Sequence, residues 1–80
     1  MGSTIHSENY RNLLALIRQM RLEAGLSQTE VADRLDRPQS WLSKVEVGER
    51  RIDVEELRQL SLALGADPAT LIGRWLKNVQ

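Results

Sequence analysis

Between Leu26 and Arg50 the chain reads LSQTEVADRLDRPQSWLSKVEVGER, and the interruption Asp36-Arg37-Pro38 near its middle limits what it can become. A residue that precedes proline avoids helical angles, so Arg37 is expected to be extended and a helix arriving from Ser27 must stop there. Proline suits a helix start, where its missing N–H loses no partner. A second helix therefore begins at Pro38 or Gln39 and runs to about Val47. Val31, Ala32 and Leu35 mark the inner side of the first piece, and Leu42 and Val45 that of the second. Helices this short are marginal alone in water. They must pack on each other and on the remainder of the chain.

The flanking sequence supplies that support as more helix. Ser7 is placed to cap a first helix in which Tyr10, Leu13, Leu14, Ile17, Met20 and Ala24 recur at three- and four-residue steps. Gly25 stands where a left-handed residue closes it. Ser27 with Glu30, and Asp53 with Glu56, have the spacing of capping boxes. Leu57, Leu60 and Leu64 form the stripe of a fourth helix that Gly65 stops, and Asp67-Pro68 opens a fifth that carries Leu71, Ile72, Trp75, Leu76 and Val79. No strand pattern, repeat or low-complexity segment interrupts this reading. The expectation is an all-α, compact five-helix domain over residues 8–80, preceded by a flexible N-terminal tail at 1–7.

Composition excludes several classes. Eighty residues, 41% of them hydrophobic, make one domain with a small core. Cysteine is absent, so neither disulfides nor thiolate metal sites are available. No apolar run approaches the roughly 18 residues a membrane helix needs, and MGSTIHSEN lacks the basic and apolar blocks of a signal peptide. A cytoplasmic protein with no membrane partner is expected. His6 is the single histidine and lies in the tail, and the glutamates fall at caps and on exposed faces. Neither a catalytic constellation nor a metal or cofactor site emerges, and the chain is read as a non-enzyme. Net charge is zero, yet unevenly spread: residues 37–51 carry a balance of +2 and residues 52–70 a balance of −3. This split suggests one basic and one acidic face.

The outer side of the third helix then acquires a chemical meaning. Gln39, Ser40, Ser43 and Lys44 lie on or near the side opposite Leu42 and Val45. Gln can pair with adenine N6 and N7, Lys can donate to guanine O6 and N7, and Ser suits either base. A rigid helix pair with such a face is one way a small domain reaches base edges in the major groove. Arg37, in the turn, can reach a phosphate or a base edge, and Gln28, beside free N–H groups at a helix start, suits a phosphate. Arg50 and Arg51 suit a second phosphate. Trp41 is expected half-packed, its indole N–H open to a phosphate oxygen. Arg18 and Arg21 are read as solvent-facing. The same polar face also fits a merely solvated surface, or a protein-interaction module with no DNA activity.

The stretch from about Leu14 to Ile72 resembles the phage-repressor and Cro-like helix-turn-helix family, often called the Xre family. The resemblance rests on RLEAGLSQTEVADRL, then PQSWLSKVEVGER, then LRQLSLALGADPATLI. It implies a lambda-repressor-like domain that binds double-stranded DNA as a transcriptional regulator, a repressor or autoregulator. At 80 residues no separate small-molecule effector domain is expected. By position, Gln28 matches a phosphate-binding glutamine, and Gln39, Ser40 and Lys44 match base-facing residues. Ser43 matches a position that touches base or backbone, Trp41 an aromatic that meets the backbone, and Glu46 a structural glutamate. Asp36 departs from the family's glycine in the turn, although aspartate tolerates the left-handed region. Pro38 departs from its serine or threonine cap. Phage repressor, restriction–modification controller and antitoxin all fit. One recognition helix covers few base pairs, so a homodimer on a palindrome is expected, with Leu71, Trp75, Leu76 and Val79 as candidate dimer contacts.

Overall fold

A computed structural model describes residues 7–80, and they form five helices: α1 (Glu8–Glu23), α2 (Gln28–Arg34), α3 (Gln39–Glu46), α4 (Val54–Ala63) and α5 (Pro68–Leu76). Residues 1–6 of the expected tail, His6 included, lie outside the described part. Ser7 belongs to the helix, for its Oγ accepts from the Tyr10 N–H at 3.1 Å as the N-cap of α1.

Local signals account for the helix ends. Both capping boxes form: Ser27 with Glu30 at α2, and Asp53 with Glu56 at α4. The Ser27 N–H holds the Glu30 carboxyl below its usual value of 4.5, so this contribution is present at neutral pH and fades as pH falls below that value. Four helices end in the same way. After α2, for example, the Arg37 N–H donates to Ala32 O and the Asp36 N–H to Asp33 O, the paired bonds of a Schellman turn. Such a turn needs one left-handed residue, supplied by Gly25, Gly48 and Gly65 after α1, α3 and α4. After α2 it is Asp36, at φ 56°. Pro38 is extended, at ψ 151°, and caps α3 with no side-chain hydrogen bond.

The core gathers around α1. Ile17, Val31, Leu42, Val45, Leu60 and Leu71 are fully buried, joined by Leu13, Leu14 and Leu16. Leu16 lies off the expected stripe, and Ala24 is exposed because it is the C-cap of α1 rather than part of its packed face. Leu71 is therefore a core residue, which removes it from the expected dimer surface. Trp75 also turns inward: it packs against the core, and its indole N–H donates to Asn9 O at 2.7 Å.

Arg21 departs most from expectation. Expected in solvent, it is buried instead, with Nε and Nη2 donating to the Glu46 carboxylate at 2.6 and 3.0 Å and Nη1 to Leu26 O at 3.0 Å. This fork joins α1 to α3 with both side chains under a tenth exposed. Breaking such a pair strands a buried charge and costs about 3–5 kcal/mol, comparable to the whole stability of a small domain. Urea denaturation should find Glu46→Ala largely unfolded; an unchanged midpoint would refute the role given to the pair. Thermal melts should also rank Asp36→Gly at or above wild type, and Asp36→Val below it by about 1–2 kcal/mol, the usual left-handed penalty for a side chain at that φ.

Candidate nucleic-acid interface

The buried residues of α3 orient the helix. Leu42 and Val45 have no exposed surface, which turns Gln39, Ser40 and Lys44 outward, while Ser43 is half-buried at the edge of that face. Lys44 makes no side-chain hydrogen bond or ion pair among the described residues. Three of the four residues expected to face bases thus form one open side of α3, with Ser43 at its edge.

Two of the expected contact residues are already tied together. Gln39 Nε2 donates to Gln28 Oε1 at 2.7 Å, and Gln28 Nε2 donates to Glu46 Oε1 at 2.9 Å. A line of bonds therefore runs from buried Arg21 through Glu46 and Gln28 to exposed Gln39. Gln28 retains one amide hydrogen, and Gln39 retains a donor and its carbonyl oxygen. Neither side chain is an isolated surface amide.

The arginines expected at phosphates are also engaged. Arg50 Nη2 donates to Glu56 Oε2 at 2.6 Å, and Arg50 Nη1 donates to Arg51 O at 2.8 Å. Arg37 Nη2 reaches the same Glu56 oxygen at 3.3 Å, and its guanidinium lies 4.3 Å from the Trp41 ring centroid. Arg51 stacks on Tyr10 at 4.2 Å. The Trp41 expectation is corrected: the ring is buried, and its indole N–H is enclosed, with no partner among the described residues, instead of lying open. The expected separation of basic and acidic faces is corrected too. Glu56, from the acidic segment, sits among the arginines of the basic one.

Two residues of this region escaped the sequence reading. Glu56 was hidden by its second role as a capping residue. Arg21 carried a legible signal, because Leu14, Ile17 and Arg21 share one helical face, and a cation on an apolar stripe calls for a buried anion.

Similarity to known proteins falls on these same elements. A family model described as a helix-turn-helix domain matches residues 12–71. The chain is 32% identical over 57 residues to the control protein C.BamHI of Bacillus amyloliquefaciens, covering 70% of each chain. In structure it matches an XRE-family-like protein from Pseudomonas syringae pv. tomato with a TM-score of 0.88 and 42% identity, over 96% of this chain and 94% of that one. The restriction–modification controller C.Esp1396I, solved as a tetramer with its natural 35-base-pair operator, shares the fold at a TM-score of 0.82 and 19% identity, over 90% and 95% of the two chains. With helix order, turn geometry and family model agreeing, the chain belongs to the Xre-like helix-turn-helix family of DNA-binding regulators.

Proposed function

We propose that this regulator reads double-stranded DNA as a homodimer, each protomer laying α3 in the major groove of one half of a palindrome. The observation that carries this reading is the outer side of α3, where Gln39, Ser40 and Lys44 stand exposed opposite the fully buried Leu42 and Val45. Half-sites about 34 Å apart present successive major grooves to two such helices. Gln39, steadied by Gln28, has the free donor and acceptor that adenine N7 and N6 require. Lys44 supplies a cation for guanine, and Ser40 and Ser43 supply short hydroxyls.

Gln28, Arg37, Trp41, Arg50 and Arg51 are assigned to the phosphate backbone, with Arg37 and Arg50 having to leave Glu56 and Trp41 having to be uncovered. Leu76 and Val79, 57% and 38% exposed, supply the apolar part of the dimer contact. Likeness to a control protein supports a controller among the roles the fold serves.

Selection of bound duplexes from a random pool should return a two-fold symmetric site. Salt-insensitive or undetectable binding at low ionic strength would point to a protein-docking module instead. On the selected site, Gln39→Ala or Lys44→Ala should cost about 1–3 kcal/mol and relax choice at one base pair per half-site, while Arg51→Ala weakens all sequences alike. Gln28→Ala should do both, since it also frees Gln39. Leu76→Glu should leave the thermal melt near wild type but shift sedimentation toward monomer. Leu71→Ala, a core truncation, should cost about 2–5 kcal/mol of stability.

A further inference from the structure

One carboxylate gathers the cations from both ends of α3. Glu56 Oε1 accepts from the Asp53 N–H at 3.0 Å, closing the cap of α4, while Oε2 accepts from Arg50 at 2.6 Å and Arg37 at 3.3 Å. Arg37 belongs to the turn that enters α3 and Arg50 to the segment that leaves it. The Glu56 side chain is only 10% exposed, while those of Arg50 and Arg37 are 43% and 33% exposed, so the carboxylate is held inside and the cations reach outward. Arg37 in turn lies over the ring of Trp41, whose indole N–H has no acceptor among the described residues.

We propose that Glu56 is a latch on DNA affinity: it holds Arg37 and Arg50 and competes with the phosphate backbone for them. This rests on the assignment of those two arginines to phosphates made above. Two guanidinium groups and one carboxylate leave a net charge of +1 where the free arginines would present +2. An arriving phosphate must displace the carboxylate, which forfeits its charge-assisted bonds and leaves its charge to be screened by a cation. Fewer counterions are therefore released per half-site than the arginine count suggests. Displacing Arg37 also bares the face of the Trp41 ring, so the surroundings of its indole change when the latch opens. Because phosphates are alike in every sequence, the latch lowers affinity for all DNA and leaves discrimination to Gln39, Ser40 and Lys44. Glu56 is in this sense a positioning residue, acting only through the arginines it holds.

Glu56→Gln keeps an oxygen for the Asp53 N–H and removes the charge. Dissociation constants for the selected duplex and a scrambled one should be measured across a salt series for wild type, Glu56→Gln, Arg37→Ala/Arg50→Ala and the triple variant. Glu56→Gln is expected to bind both duplexes more tightly by one common factor, about eightfold per half-site at 0.1 M salt, with the slope of log K against log salt steeper by about 0.9 per half-site. The gain should vanish in the triple variant. Binding that is weaker, or no tighter, at an unchanged slope overturns the latch and makes Glu56 a simple brace. If Arg37→Ala/Arg50→Ala binds as wild type does, the phosphate assignment of the arginines falls and the latch with it; if no protein binds either duplex, the DNA-reading proposal itself fails. Should Glu56→Gln not fold, the wild-type indole resonances decide. Saturating scrambled duplex should move that of Trp41 and leave that of Trp75, bonded within the protein, in place. A stationary Trp41 signal overturns the latch.

Discussion

The buried pair of Arg21 and Glu46 is the joint on which the rest of this small structure turns. α3 has only eight residues and starts at Pro38 without a side-chain cap, so its own hydrogen bonds cannot fix where it lies. Leu42 and Val45 anchor its inner side, but apolar contact is non-directional and leaves rotation weakly defined. The guanidinium fork of Arg21 supplies direction. Glu46 sits in the last turn of α3, where a negative charge opposes the helix dipole, and Arg21 offsets that while drawing α1 and α3 together. The pair need not add net stability over an apolar replacement. What it contributes is geometry, carried through Gln28 to the amide of Gln39.

The same chemistry explains how a chain of zero net charge keeps a polar surface with an open cation on α3. Its carboxylates are placed rather than merely balanced. Glu46 is consumed by Arg21 inside the protein, and Glu56 is shared by Arg37 and Arg50 beside α3. Lys44 stays open on the outer side. Planar guanidinium groups also lie on aromatic rings at Trp41 and Tyr10, contacts that a lysine makes less well. Field strength at the surface is therefore set by which arginines are engaged, a quantity that composition does not report.

Much of the fold was readable because its determinants are local. Capping boxes at Ser27 and Asp53, glycines at 25, 48 and 65, and the Asp36-Arg37-Pro38 break each act within a few residues, and each ended or began a helix where its chemistry demanded. Asp36 adopted the left-handed turn despite its side chain. The outward set on α3 followed from the periodicity of Leu42 and Val45. Expectations failed where a residue's partner lay far along the chain. Arg21 meets Glu46 from 25 residues away, and Trp75 meets Asn9 from 66.

Five helices, their approximate ends and the outward side of α3 were legible from the order of residues alone, because backbone angles and apolar periodicity are settled within one or two turns. Packing between helices settled the rest: Leu71 is core, the Trp41 ring is buried with Arg37 over its face, and Glu56 holds two arginines which composition alone would count as free. Those outcomes depend on which charges and rings are brought together when separate helices pack, and Coulomb attraction and desolvation act on distances that no linear spacing encodes.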